Sequence, residues 1–374
     1  MNILFWTPLF RPDIGGIEIA SAELLEGLSA KDCKFIVLTS YGRSKEKEET
    51  FFKKIPVYRF PMIQAFGRRD IRLLKKMEDK INAVLKKFKP DLAHVNFGGP
   101  APVGYFYLKT RSIHPTPTLF TLHNSVRGMN CTQDSVLGRL FRTSDWITAC
   151  SQAMLDDARE MMPEISTKSS PVTYGLKMPE IKPSPLDFTH PYILCLGRLV
   201  VEKGFDLALE ALNHIKDRFP TVRMTIAGNG PALSELKEKA RALGLSSRVK
   251  FKEEIQHEEV AKLINTATLM IVPSRWREAF GLVALEAAQM GRPVVASKTG
   301  GLEEAVVHQK TGILVDKNDG ESLAEAVIYL LDRPKEASEM GAAARQRART
   351  KFSMKRYVDR YYHLYRRVRR GHEN

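Results

Sequence analysis

Short apolar runs alternate with longer amphipathic stretches along the chain, and they do so in two series. In the first, Ile3 to Thr7, Phe35 to Thr39, Leu92 to Asn96, Leu119 to Leu122 and Trp146 to Ala149 are each followed by a helical pattern. Near-continuous apolar runs suit strands covered on both faces, and intervening helices are what parallel neighbours require. The second series is Tyr192 to Leu196, Arg223 to Ala227, Val249 to Phe251, Leu269 to Val272, Val294 to Ala296 and Ile313 to Val315. Between the two, six prolines (Pro163, Pro171, Pro179, Pro183, Pro185 and Pro191) mark a change of composition that reads as a linker. The pattern predicts an α/β chain of two facing, doubly wound parallel-sheet domains. Their expected bounds are 1–170 and 191–350, with a linker at 171–190 and a basic helix or arm at 351–374.

Composition agrees with this. A chain of 374 residues exceeds one ordinary core, and 43% hydrophobic with 27% charged residues describes a globular protein. No apolar run approaches the roughly 20 residues that span a bilayer. Met1 to Phe10 lacks the basic start of a signal peptide and meets Pro8 early, so none is expected. Cys33, Cys131, Cys150 and Cys195 stand singly, without metal-like spacing, which favours reduced structural thiols and a cytoplasmic setting.

Candidate chemistry lies where strands end. After the run Leu269 to Pro273, the segment Glu278-Ala279-Phe280-Gly281-Leu282-Val283-Ala284-Leu285-Glu286 sets two carboxylates eight residues apart around a Phe-Gly turn. Gly281 permits close backbone approach and opens a helix whose free N–H groups suit an anion. A phosphate carrying a polyol fits: Glu286, two turns into the helix, would accept ribose hydroxyls, and Glu278 would meet what hangs beyond the phosphates. Taken alone, the same acids also suit a helix start and a solvated face. Upstream, Gly197-Arg198-Leu199 closes one strand and Glu202-Lys203-Gly204 opens the next helix, placing Arg198 and Lys203 in a strand-to-helix loop. Two cations there suit a diphosphate leaving group.

These residues carry a family resemblance. Gly197-Arg198 with Glu202-Lys203-Gly204, then Ala227-Gly228-Asn229-Gly230-Pro231, Pro273-Ser274 with Glu278 to Gly281 and Glu286, Gly291 to Ala296, and Gly300-Gly301 together resemble glycosyltransferase family 4, retaining enzymes of the GT-B fold. The resemblance spans the C-terminal half in order and extends weakly to Gly15-Gly16-Ile17-Glu18 and the strand-end His123. It implies a nucleotide-diphosphate sugar donor (UDP-, GDP- or ADP-linked), no cofactor and no metal. It also implies that Glu278 and His123 act on the transferred sugar. Gly15, Gly16, Arg198, Lys203, Gly228, Gly230, Ala279, Phe280, Gly281, Leu282, Val283 and Glu286 would bind substrate, and Ile255 would lie in the loop lining the base. His94, also near a strand end, competes with His123 and ranks second, as structural support or part of the acceptor wall; His114 and His257 read as loop residues.

No Asp-x-Asp motif is present, so Arg198, Lys203 and helix N-termini would have to supply the positive charge. Two departures from the family pattern stand out. The stretch Ser274-Arg275-Trp276-Arg277-Glu278 is one residue longer than the commoner spacing. Lys252-Glu253-Glu254-Ile255 replaces a usual glycine, which leaves the base open between uridine, guanosine and adenosine.

Charge adds a partner. Residues 345–370 hold eleven Lys and Arg against Asp359 alone, most of the formal excess of +15. Tyr357, Tyr361, Tyr362, Tyr365 and Val368 are interleaved among them, so the arm reads either as a helix resting on anionic lipid or as one packed on the first domain. A second basic helix, Arg68 to Lys89, has Ile71, Leu74, Ile81, Leu85 and Phe88 on one face. The expected acceptor is a glycan or lipid-linked molecule in cell-surface polysaccharide, lipopolysaccharide or glycolipid synthesis, with the protein cytoplasmic or peripheral on the inner membrane face. Rival readings are a non-catalytic or partner-dependent homologue, a nucleotide-sugar epimerase of the same fold, and a phosphorylase. A nucleic-acid binder explains the charge but not the paired glutamates, and no nucleic acid is expected.

Overall fold

The computed structural model describes residues 1–13, 15–42, 47–98, 104, 116–132, 134–253 and 255–373, with the side chains of His257, His372 and Glu373 left aside. His114 lies outside the described residues, as does part of the Phe97 to Pro102 loop. The chain divides into two compact units, residues 1–175 with 354–374, and residues 176–353.

Among the described residues the first unit is built on eight strands: β1 (Asn2–Trp6), β2 (Lys34–Ser40), β3 (Glu49–Phe52), β4 (Ile55–Phe60), β5 (Leu92–Phe97), β6 (Thr118–Leu122), β7 (Trp146–Ala149) and β8 (Ser169–Pro171). They lie in the order β3-β4-β2-β1-β5-β6-β7-β8, parallel except for the antiparallel β3–β4 pair. Helices α1 (Gly16–Ser29), α2 (Met62–Gly67), α3 (Ile71–Phe88), α4 (Val136–Thr143) and α5 (Gln152–Met161) connect them. Three of these start on a side chain that accepts from a first-turn amide: Asp70 from Leu73, Ser135 from Gly138 and Ser151 from Met154. In α3, Met77 and Ile81 are buried and Ile71 is 77% exposed, so the core-facing stripe begins a turn later than the sequence pattern suggests.

The second unit is an all-parallel sheet of β9 (Tyr192–Leu196), β10 (Arg223–Ala227), β11 (Val249–Lys252), β12 (Leu269–Val272), β13 (Val294–Ser297) and β14 (Gly312–Val315). Its order is β11-β10-β9-β12-β13-β14. Among the described residues, seven helices cover it: α6 (Phe205–Ile215), α7 (Leu233–Ala242), α8 (His257–Thr266), α9 (Leu282–Gln289), α10 (Leu302–Ala305), α11 (Gly320–Asp332) and α12 (Pro334–Lys351). Ile193, Leu209, Ile226, Leu269, Val295 and Val327 belong to its buried core. His257 opens α8 rather than lying in a loop.

The proline-rich stretch is not a free linker. Pro163–Lys168 forms a 3-10 helix and Ser169–Pro171 is strand β8, so this part belongs to the first sheet. Farther on, Asn265 donates to the Lys182 carbonyl at 3.0 Å and accepts from the Ser184 amide at 2.8 Å, tying this segment to the second unit. The buried Arg292 donates to the carbonyls of Met290, Ala267 and Ser184. Burial lowers its pKa to about 10.

The basic run of residues 345–370 belongs to two helices. Arg345 to Lys351 end α12 of the second unit, and α13 (Met354–Glu373) packs in the first against α1, β5 and β6. Tyr357, Val358, Tyr361, Leu364, Tyr365 and Val368 recur at helical spacing and are all buried. The aromatic face is therefore spent on the protein's own core. His94 lies beneath it, with Nδ1 2.6 Å from the Tyr365 hydroxyl and Nε2 2.7 Å from Thr121 Oγ1, stacked on Tyr361. This makes His94 structural support and not an acceptor wall. No described helix is long and apolar enough to cross a membrane.

Helices α1 and α13 approach at Gly27, where an added Cβ would stand 2.4 Å from Val358 Cγ2. Gly27→Val is expected to lower unfolding stability by about 1–3 kcal/mol through overpacking. Tyr365→Phe, which leaves Nδ1 of the buried His94 without its partner, should lower it by a similar amount, about 1–3 kcal/mol. Denaturant titration checks both, and unchanged midpoints would show that α13 is not an integral part of the unit.

Candidate active site

In the second sheet the direction of strand succession reverses between β9 and β12, the place where open α/β sheets form a crevice at their carboxyl edge. The loops leaving these two strands carry most of the expected donor residues. After β9, Arg198 is exposed, Val201–Lys203 forms a 3-10 turn and Gly204 adopts φ +65° before α6. A Cβ on Gly204 would stand 2.1 Å from the Pro273 carbonyl oxygen, so only glycine lets the two loops touch. The Glu202 carbonyl accepts from the Arg275 amide at 2.9 Å.

Side chains converge across this contact. Lys203 Nζ and Ser274 Oγ both donate to Glu278 Oε1, each at 2.5 Å, and the Glu278 side chain is only 14% exposed. The lysine expected on a phosphate is therefore paired with the acid expected on the sugar. Arg275 grips Asp206, in the first turn of α6, through both guanidinium Nη atoms, with Nη2 2.7 Å from Oδ2. Burial disfavours ionisation of Asp206, but the Arg275 hydrogen bonds and charge outweigh it and hold its pKa below the usual value. Sequence reading missed Ser274 and Asp206 as members of the cluster. Ser274 is at least visible as the residue opening the segment to Glu278.

The expected glycine sites serve mainly to bring loops together. A Cβ on Gly228 would stand 1.9 Å from the Gly197 oxygen, and one on Gly230 2.3 Å from the Leu199 oxygen, so both lock their loop onto residues 197–199. Gly301 donates to the Glu278 carbonyl at 2.8 Å and leaves no room for a Cβ against Ala279 and Phe280. Phe280 is 1% exposed and packs edge-on to Phe352, so its side chain is core and not a ligand contact. Gly281, at φ +85°, caps α9, whose first amides, from Leu282 and Val283, have no intrahelical acceptor. Glu286 is half-buried and lies just past the first turn of α9, not two turns in. Ile255, half-buried between β11 and α8, follows the edge strand two places from β9.

In the first unit, α1 begins at Gly16 with Gly15 as its extended N-cap, and a Cβ on Gly15 would meet Glu18 Oε2 at 2.3 Å. His123 follows β6 but is 4% exposed. Its Nε2 is 2.9 Å from Asn96 Oδ1, its Nδ1 contacts the Tyr174 hydroxyl, and its ring stacks on Tyr174. Both ring nitrogens are thus engaged within the unit, contrary to a histidine aimed outward. Asn96 and Tyr174 escaped the sequence reading because their partners lie far along the chain.

Two paired-loop contacts, an acid held by a lysine and a serine, and a glycine-capped helix at the reversal point form one cluster. The Glycosyltransferase Family 4 family matches residues 14–168 and the Glycosyl transferases group 1 family matches residues 178–347. The chain belongs to glycosyltransferase family 4. This glycosyltransferase is 29% identical over 342 residues to the glycogen synthase of Mycobacterium tuberculosis, covering 87% of its own chain and 78% of that relative. It is 30% identical over 275 residues to the GDP-mannose-dependent alpha-(1-6)-phosphatidylinositol monomannoside mannosyltransferase of the same organism, covering 68% and 71%. Its fold matches sucrose-phosphate synthase from Thermosynechococcus elongatus (TM-score 0.82, 22% identity, 98% of each chain). It also matches Anabaena Alr3699/HepE, solved with UDP (TM-score 0.79, 22% identity, 97% and 99%). The glycosyltransferase thus has the GT-B fold.

Burial lowers the pKa of His123 from 6.5 to about 3, and that of His94 is lowered by burial and then by the charge of His123. Below about pH 6.5 the unfolded chain takes up protons that the folded protein refuses. Stability is therefore full above that pH and falls as the pH drops toward 3, by up to about 1.4 kcal/mol per pH unit for each histidine. Urea unfolding is expected to show lower stability at pH 5 than at neutral pH, with part of the slope removed in His123→Asn. A flat profile would contradict the burial of these rings.

Proposed function

We propose that the chain is a retaining hexosyltransferase that takes its sugar from a nucleoside diphosphate and passes it to a glycan or lipid-linked acceptor. The observation that carries this reading is the cluster at the β9–β12 reversal, where Lys203 and Ser274 hold Glu278 beside the N-terminus of α9. Arg198, Lys203 and the first amides of α9 receive the diphosphate, and Glu286 accepts the ribose hydroxyls. When the phosphates engage Lys203, the Glu278 carboxylate turns to the hydroxyls of the transferred sugar. The bond from the anomeric carbon to the phosphate oxygen breaks, the acceptor oxygen bonds to the same face, and the acceptor proton passes to the departing diphosphate. Fixed cations and helix amides stabilise the developing charge, so no divalent ion is required.

Ile255 and its loop contact the base. The mannosyltransferase relative is named as GDP-mannose-dependent and the Anabaena structures hold UDP or UDP-glucose, so guanosine and uridine lead the candidates, with adenosine third. His123 reaches the sugar only if it exchanges one of its bonds to Asn96 or Tyr174. The acceptor belongs to cell-surface polysaccharide, lipopolysaccharide or glycolipid synthesis, on the cytoplasmic side.

Calorimetric titration with the three nucleoside diphosphates and their sugar conjugates, in the presence of a chelator, is expected to give one clear binder. Silence from all of them would favour a homologue that has lost turnover or needs a partner. Glu286→Ala should weaken nucleoside diphosphate binding about tenfold, as loss of one or two hydroxyl contacts implies. In contrast, Glu278→Gln should depress kcat by roughly two orders of magnitude while changing nucleotide affinity less, because its contacts to the sugar hydroxyls form only with the sugar in place. Equal nucleotide affinity of Glu286→Ala and the parent would remove the ribose assignment.

A further inference from the structure

At the opposite, strand-N-terminal edge of the first sheet lies an open recess of about 430 Å³, lined by Lys31, Asp32, Tyr362, Arg366, Arg369 and Arg370 together with Met1. Three chain segments meet there. Lys31 and Asp32 come from the turn between α1 and β2, the three arginines from the last turns of α13, and α3 ends alongside. Asn2 Nδ2 donates to the Phe88 and Lys89 carbonyls at 2.9 and 3.3 Å, and Arg369 stands 4.0 Å from Asp91. Exposed Lys34, Lys86, Lys87 and Lys89 stand near the four cations that line the recess, with Asp32, Asp91 and Asp359 as neighbouring acids. Lys31 is paired with Asp359 at 2.9 Å, whereas Arg366 and Arg370 form no ion pair among the described residues. Arg366 lies over the Tyr362 ring, 5.9 Å from its centroid, and Lys31 5.1 Å from it.

We infer that this edge is an electrostatic docking face for the phosphates of an anionic membrane. Such an excess of one charge attracts a surface of the opposite sign, each Lys or Arg near an anionic bilayer contributing roughly a fivefold gain in partitioning. The cations are spread over three segments around an open recess, which suits an array of headgroups better than one small anion. Because the aromatic face of α13 is buried in the unit, the helix cannot insert, and adhesion is by charge alone. None of the exposed large apolar side chains among the described residues lines the recess; Ile63 and Ile71, 57% and 77% exposed, sit where α2 meets the start of α3. Binding is therefore reversible and lost at high salt. The inference is independent of the donor assignment, since vesicle binding requires no nucleotide.

The test is flotation of the full chain with phosphatidylcholine vesicles containing or lacking phosphatidylglycerol, at low and high salt. Binding is expected only to the anionic vesicles and only at low salt. The combined variant Lys87→Gln, Arg366→Gln, Arg370→Gln alters exposed side chains and should bind on the order of a hundredfold more weakly with an unchanged unfolding midpoint. A matched variant at the other corner, Arg68→Gln, Arg69→Gln, Arg72→Gln, should keep most of the affinity. Four results would overturn the inference. They are no binding to anionic vesicles, equal binding to neutral ones, loss of binding only in the second variant, or displacement by inorganic phosphate at constant ionic strength, which would indicate a small-anion site.

Discussion

Backbone-to-backbone contact between loops at the carboxyl edge of the second sheet is the constraint on which the rest depends. Gly204 against Pro273, Gly228 against Gly197, Gly230 against Leu199 and Gly301 against Ala279 are four places where any side chain would force loops apart. Their closeness decides where Lys203, Ser274 and Glu278 stand. A lysine on one loop can reach an acid on the next only because the intervening backbone has no Cβ to accommodate. The geometry of this cluster is thus held by main-chain contacts between loops. Arg292 plays a comparable part below, using its donors on main-chain carbonyls to pin the 176–191 segment against the body.

The first unit solves a different problem, that of burying polar groups in a parallel sheet. His94, Thr121, Thr148, Tyr361 and Tyr365 form one hydrogen-bonded cluster between the sheet and α13, and His123, Asn96 and Tyr174 form another at the strand ends. Each ring nitrogen has a partner, so burial costs little at neutral pH, while protonation is strongly opposed. The terminal helix is consequently part of the first unit's core although the chain reaches it last. Its outward cations are what remains for an external partner.

Much of this was legible in the chain itself, because buried parallel strands announce themselves as continuous apolar runs. All six strands of the second sheet follow from such runs, as do the central ones of the first. The β3–β4 hairpin was not visible: its turn is Lys53-Lys54 without a glycine, and Pro56 sits inside a strand. The donor cluster was readable as ordered motifs, yet the motifs do not say which glycines meet a ligand and which meet another loop. Phe280 is the plainest case, a motif residue whose ring turns inward to Phe352. Tertiary pairings such as Arg275 with Asp206, or His123 with Tyr174, join positions far apart in sequence and leave no local trace. The basic run 345–370 misleads for a related reason, since composition cannot show that a helix boundary divides it between two units.

The measurement that bears most directly on the central claim is a crystal structure grown with the nucleoside diphosphate that binds. Phosphate oxygens are expected within hydrogen-bond distance of the Leu282 and Val283 amides, with the ribose on Glu286 and Lys203 Nζ withdrawn from Glu278 toward the phosphates. A nucleotide lodged away from the β9–β12 edge, with the Lys203–Glu278 pair intact, would contradict it.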